Sequence, residues 1–267
     1  MALQAEQLAQ FLDRKAPIVR VTVLKALGST PREAGTWMLV SADGLFGTIG
    51  GGQLELMAIK EARALLAAGE SEATMDIPLG PDIGQCCGGR VTLVLDRLDK
   101  GARQDLVDAM RRQDEALPQV LVFGAGHVGK ALCAALSLLP VRIILVETRQ
   151  AELDGAPPGI EKHLTAMPES LVGQAPPHSA FVVTTHDHAL DFLIVSQALA
   201  RDDAAYVGMI GSKTKRATFA SWHEKEGGKR SDSDRLICPI GGSAVRDKRP
   251  QVIAALVAAE IMTAFAV

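Results

Sequence analysis

Two cysteines stand side by side in PDIGQCCGGR, Pro81 to Arg90, in a chain with four cysteines in all. Glycines on both sides let the backbone turn sharply and leave room for a bulky ligand. Surrounding N–H groups and Arg90 would favour the thiolate, the form that binds a soft metal or carries sulfur. Side chains alternate along an extended strand, so one of the pair would face a ligand while the other packs. Cys87 directly precedes the Gly-Gly bend and is the favoured one over Cys86. No C-x-x-C partner is present for a tetrahedral zinc site. The alternative is two small residues in a tight bend. Of the other two cysteines, Cys133 falls in the helical pattern KALCAALSLL and reads as core. Cys238 precedes Pro-Ile-Gly-Gly and reads as either core or site-facing.

Several glycine-rich turns sit where a strand gives way to a helix. Such turns present free N–H groups and the positive end of a helix dipole, which suits phosphate, although glycines also simply make turns. GTIGGGQLE places Gly50, Gly51 and Gly52 before Gln53 and Glu55. Glu55 either complements the helix dipole or accepts a guanidine-like ring edge. FGAGHVG carries Gly124, Gly126, His127 and Gly129, and Glu147 follows 23 residues after its first glycine. Strand, spacing and acid together are a dinucleotide-fold signal. VGMIGSKTKR adds Gly211, Ser212 as an N-cap and Lys213 in the first helical turn. There Lys213, Lys215 and Arg216 are a phosphate clamp or a solvated face, with Lys213 nearest the glycines. TTHDHALD places His186 and His188 beyond a strand, as hydrogen-bonding residues or as part of a metal site.

The elements that position these loops follow from apolar patterning. A strand is expected over 17–27. TWMLV and LFGTI flank a Ser-Ala-Asp-Gly turn and read as a hairpin. A helix runs from Gln53 to a stop at Gly69. RVTLVLDRL alternates as a strand, and a charged helix leads to EALP at 115–118. Next come strand 119–123, the glycine loop, a helix, and a strand from 141 to Glu147. Residues 150–178 are expected to be mostly loop with short elements. AFVVTT and AAYVGMIG are later strands around the helix ALDFLIVSQALA, and a final helix starts near Pro250, a residue suited to a first helical turn. The expected fold is α/β. A Rossmann-like, doubly wound parallel sheet occupies 118–267, and a smaller α+β domain occupies 1–117.

With 267 residues, two domains are comfortable. Apolar residues at 48% and charged residues at 22% are a globular balance. A net charge of −3 and the absence of a long basic run argue against a nucleic-acid partner. The N-terminus reads as an amphipathic helix and not as a signal peptide. The apolar stretch 252–267 contains Glu260 and is too short to span a bilayer. A cytoplasmic protein with reduced cysteines is expected. The nearly uncharged ending IMTAFAV suggests a homodimer.

Taken together, GSTPREAGTWMLV, GTIGGGQLE, GQCCGGRVTLVLDRL, VFGAGHVGKAL, TTHDHALDF, YVGMIGSKTKRATF and CPIGG resemble the XdhC/CoxI family in order and across nearly the whole chain. The ending CPIGGSAVRDKRPQVIAALVAAEI looks like the XdhC branch. The resemblance implies an accessory protein of xanthine dehydrogenase maturation. Such a protein binds the molybdenum cofactor, a molybdopterin, as cargo while an oxo ligand is exchanged for sulfido. It then delivers the cofactor to apo xanthine dehydrogenase, with a cysteine desulfurase supplying sulfur. A chaperone of this kind needs no turnover of its own. On this reading the glycine loops hold phosphate, Glu55 meets the pterin edge, and Cys86 or Cys87 contacts molybdenum or relays sulfur. The competing readings are an NAD(P)-dependent oxidoreductase, with a nucleotide in the Rossmann crevice, and a thiol-based redox or metal sensor.

Overall fold

The computed structural model describes residues 4–14, 16–80, 88–242 and 244–266. It divides into two compact units, Gln4–Arg112 and Gln113–Val267. The division falls in the last helix of the first unit, a few residues before the 117/118 boundary expected from the EALP stretch.

The first unit contains α1 (Gln4–Leu12), β1 (Val19–Leu27), β2 (Trp37–Val40), β3 (Leu45–Gly47), α2 (Gly52–Ala68), β4 (Glu72–Pro78), β5 (Arg90–Arg97) and α3 (Lys100–Glu115). Its five strands pair antiparallel in the order β3-β2-β1-β5-β4. Val19, Val21 and Val23 point to the face covered by α2, where Leu54, Ala58 and Ala62 are buried. Ile18 and Leu39 point to the other face, against Leu8 and Phe11 of α1 and Val107 and Met110 of α3. That period-2 alternation is what a sheet covered on both faces requires. Arg103 of α3 donates to the carbonyls of Leu12, Arg14 and Ala16, which satisfies acceptors left open at the end of α1. Gly69 adopts φ 74° and ends α2, as its position in the sequence predicts. Strand β4 was not expected. Its sequence, EATMDIP, buries only Ile77, so it lacks the apolar run that marks a central strand. It forms because β5 offers it a full ladder from Glu72↔Asp96 to Pro78↔Arg90.

The second unit is a doubly wound α/β fold with a six-stranded parallel sheet in the order β11-β10-β9-β6-β7-β8. The strands are β6 (Gln119–Phe123), β7 (Arg142–Glu147), β8 (Glu161–Leu164), β9 (Ala180–Val183), β10 (Tyr206–Met209) and β11 (Leu236–Ile237). Between them run α4 (His127–Leu136), α5 (Gln150–Asp154), α6 (His188–Leu199) and α7 (Lys213–Lys225), and α8 (Pro250–Phe265) closes the chain. Short 3₁₀ turns cover Pro168–Gln174 and Arg230–Asp234. Val120 and Val122 of β6 face a core built with Leu132, Cys133 and Leu136 of α4 and with Val257 and Ile261 of α8. Leu121 and Phe123 face the opposite core, with Phe192 and Val195 of α6 and Phe219 of α7. Burial on both faces explains why these strands are continuous apolar runs. Cys133 is core, as expected, and its buried thiol is pushed up to about 12. The apolar end of α8 packs into this same core through Met262, Ala264 and Phe265. The feature behind the dimer expectation is therefore partly covered within the chain. Among the described residues no helix is long and apolar enough to cross a membrane.

Candidate functional site

Three loops leave one end of the antiparallel sheet. β1 ends there at Leu27, opposite Arg90 at the start of β5, and β3 ends at Gly47, opposite Met38 near the start of β2. The loops 28–36 and 48–51 and the described flanks 79–80 and 88–89 therefore share that end, and they touch. A Cβ on Gly89 would lie 2.5 Å from the carbonyl oxygens of Leu27 and Ser29. A Cβ on Gly50, whose φ is 120°, would lie 2.7 Å from Pro31. The motifs GSTPREAG and GTIGGGQ and the flank of the cysteine pair are thus one assembly, built on close contacts that glycine alone permits.

Cys86 and Cys87 lie outside the described residues, as does the rest of 81–87. Their flanks are fixed, because Leu79 N–H donates to the Gly89 carbonyl at 2.8 Å and extends the β4–β5 ladder. Arg90, expected to add charge beside the thiols, forms an ion pair with Asp76 across the ladder at 3.5 Å.

Glu55 has a role that neither sequence alternative described. Its Oε2 accepts hydrogen bonds from Thr48 Oγ1 at 2.5 Å, Ile49 N–H at 3.0 Å and Gly51 N–H at 3.1 Å. Partial burial opposes the charge, and the Thr48, Gly51 and Ile49 donors outweigh it, so its carboxyl sits below the usual range. Glu55 is the clamp of the GGG loop. Gly51, the N-cap of α2, has no capping side chain, and among the described residues nothing lies within 4 Å of where its Cβ would be. Gly52 and Gln53 are exposed at the first turn of α2.

In the second unit β10, β9 and β6 are parallel neighbours, so the loops 124–129, 184–188 and 210–213 leave the same carboxyl edge. Two glycines of FGAGHVG serve packing. A Cβ on Gly129 would overlap the Gly124 carbonyl oxygen, and a Cβ on Gly124, whose φ is 102°, would lie 2.8 Å from Thr184 backbone. Thr184, absent from the sequence-based candidates, donates its hydroxyl toward the carbonyls of Phe123 and Gly124 at 3.1 Å each. Gly126 differs: nothing lies within 4 Å of its Cβ position, and no side chain caps α4 there. His127 beside it is exposed. The first-turn N–H groups of α4 are the uncapped donors of this crevice.

Glu147 is the acid expected at the end of the second strand. It is 5% exposed and turned onto the glycine loop. Oε2 accepts from Ala125 N–H at 2.9 Å, and Oε1 from Thr148 N–H at 2.8 Å and Arg149 N–H at 3.2 Å. Arg149 pairs with it at 3.3 Å. Burial alone would raise this carboxyl; the Ala125, Arg149 and Thr148 donors overcome it and hold it at about 2. Both oxygens serve the chain itself.

The other loops are self-capped. In TTHDHALD the cap is Asp187, which accepts from Ala189 and Leu190 N–H, while His186 and His188 are exposed on either side. Among the described residues no cluster of three His, Cys, Asp or Glu could hold a metal ion. Ser212 caps α7 as expected, accepting from Lys215 N–H at 3.2 Å, next to the exposed Gly211. Lys215 and Lys213 part company. Lys215, partly buried, pairs with the buried carboxylate of Asp191 and donates to the Ile210 carbonyl at 3.0 Å, while Asp191 also accepts from Thr185 Oγ1 at 2.6 Å. This ion pair braces two crevice loops and was not legible in the sequence, because its members are 24 residues apart. Lys213 stays exposed.

Comparison with known proteins bears on both units. Residues 120–261 match the model of the XdhC Rossmann domain, and residues 11–77 match that of the XdhC and CoxI family. Over 95% of its length the chain is 27% identical to "Uncharacterized protein YqeB" of Escherichia coli K12, and it spans 44% of that protein. A crystal structure described as a xanthine dehydrogenase from Bacillus halodurans superposes with a TM-score of 0.78 at 18% identity, covering 99% of this chain and 96% of that one. That likeness is one of fold. The match to the Rossmann-domain model covers more than half of the chain, and the chain belongs to the XdhC and CoxI family.

Proposed function

We propose that this chain is an accessory protein of xanthine dehydrogenase maturation that carries the molybdenum cofactor as cargo, holds it during sulfuration and passes it to the apoenzyme. Family membership supports the coarser part, a role in xanthine dehydrogenase maturation. The observation that carries the finer part is the assembly at one end of the antiparallel sheet. Two motif loops meet there through glycine contacts, and Leu79 and Gly89, which flank the segment bearing Cys86 and Cys87, are held beside them.

Uncapped N–H groups after Gly51 and Gly126 are suited to the phosphate tail of a pterin cargo. A thiolate at 86 or 87 is suited to molybdenum or to a sulfur atom delivered by a cysteine desulfurase. Glu55 helps by holding the loop open from behind, with Oε1 left free of the three loop donors. An NAD(P)-dependent oxidoreductase is the second reading. Glu147 weighs against it, since the carboxylate that would meet a ribose is buried and engaged by Ala125, Thr148 and Arg149.

Replacement of both thiols, Cys86→Ala with Cys87→Ala, tests the cargo reading. Molybdenum and pterin retained by the purified protein should fall by about tenfold, the size of one lost strong contact. Activation of apo xanthine dehydrogenase should fall with them, while Cys133→Ala lowers the melting temperature and leaves retention intact. Native-level retention and delivery by the double variant would remove sulfur handling from the reading.

A further inference from the structure

The groove between α7 and the 3₁₀ turn Arg230–Asp234 has a volume of about 440 Å³; it shares Lys213 with the loop 210–213 and takes no lining residue from the glycine loops 48–52 and 124–129. We propose that it is a separate binding site for a small phosphate-bearing molecule. The inference does not depend on the cargo reading.

Charge is the first reason. Lys213, Arg216 and Arg230 line the groove against one carboxylate, Asp234. The commitments of these cations are the second. The Lys213 side chain forms no hydrogen bond or ion pair with any described residue, whereas its neighbour Lys215 is neutralised by Asp191. Arg216 donates Nη2 to the Ser233 carbonyl at 3.0 Å, which orients a guanidinium with other N–H groups still to place. Among the described residues the Arg230 side chain pairs only with Glu224, at 3.6 Å and largely in solvent. Three cations carried on two elements and aimed at one volume suit a doubly charged oxyanion.

A buried polar atom is the third reason. Ser233 is 5% exposed and lines the groove, and its hydroxyl has no hydrogen-bond partner among the described residues. Buried hydroxyls are almost always paired, and a phosphate oxygen would supply the missing acceptor. Space is the fourth. Ala217 and Ala220 fall on the face of α7 that carries Lys213 and Arg216, at helical spacing, and their small side chains keep the floor low. The face lies in the first two turns of α7, at its positive end.

Isothermal titration of the full chain with inorganic phosphate and with glycerol 3-phosphate tests the site. Lys213→Gln combined with Arg230→Gln removes two exposed cations, so circular dichroism should be unchanged while binding weakens by at least about tenfold. Gly126→Val, which acts on the glycine-loop crevice, should leave binding within about twofold of the wild type. Tighter binding of glycerol 3-phosphate than of phosphate identifies an ester as the ligand, and equal binding identifies free phosphate; either supports the site. No binding of either probe by the wild-type chain at millimolar concentration overturns the proposal. So does binding that the double variant retains, or binding that Gly126→Val abolishes.

Discussion

Each unit holds a glycine loop with a glutamate, but the two clamps are built differently. Glu55 reaches back from the first turn of its own helix, and one of its oxygens gathers donors from residues 48, 49 and 51. Glu147 comes from the neighbouring strand, 22 residues from the loop N–H it holds, and uses both oxygens in a buried setting beside Arg149. The first clamp is local and partly wet. The second ties β7, the glycine loop and the start of α5 together around one buried carboxylate. Each loop also divides its glycines the same way: Gly50, or Gly124 with Gly129, is needed for close packing, while Gly51 or Gly126 leaves open space where a side chain would stand. Tight glycines build the loop, and the open one lets a ligand reach the N–H groups.

The strongest way to break this comparison is Gly129→Ala. A Cβ there collides with the Gly124 carbonyl, so α4 must move off the sheet, and a loss on the order of 4 kcal/mol is expected. Thermal melts should show the protein barely folded or insoluble. Gly129→Ala that melts with the wild type would mean that this glycine is not needed for packing.

Next in size is Glu147→Gln. A carboxyl at about 2, against an ordinary value of 4.5, corresponds to stabilisation of roughly 3 kcal/mol at neutral pH. A folded-state value below the unfolded one means the stabilisation is complete above about pH 4.5. It declines as the pH falls further and is lost once the pH passes about 2. The gap between wild type and variant in denaturant midpoint should therefore be wide at pH 7 and close progressively below pH 4.5. A gap independent of pH would place the effect in shape and not in charge.

Glu55→Ala should cost less, about 1 kcal/mol, because the Thr48, Ile49 and Gly51 donors it releases can turn to water. Faster hydrogen exchange at Ile49 and Gly51 is the sensitive readout. Exchange unchanged at both positions would deny Glu55 its role as clamp.

The smallest effect on stability belongs to Gly126→Val. Its Cβ meets nothing and its φ of −72° suits any residue, so the melting temperature should shift by no more than the equivalent of about 0.5 kcal/mol. Binding of any phosphate-bearing ligand in the crevice should nonetheless fail, because the branched side chain screens the first-turn N–H groups. A variant that retains every crevice ligand would make the loop scaffold alone.

Much of the architecture is determined by the sequence itself. The apolar runs of β6, β7, β9 and β10 can be buried only in a sheet covered on both faces, and Gly69 can end α2 because it alone accepts φ 74° without strain. The caps Ser212 and Asp187 act within three residues of themselves, and short-range chemistry of that kind is written in the local sequence, although only Ser212 was read from it. Tertiary structure decided where the carboxylates point. The spacing that marks Glu147 as an acid at a strand end is the same whether it faces a ligand or folds back on Ala125, and only the packed sheet selects the second. The same holds for Lys213 and Lys215, two residues apart on one helix. Asp191, brought in from α6, neutralises Lys215 and leaves Lys213 to the groove that Arg230 completes. Helical spacing sends neighbouring side chains in different directions, and what waits in each direction is set by elements far away in the chain.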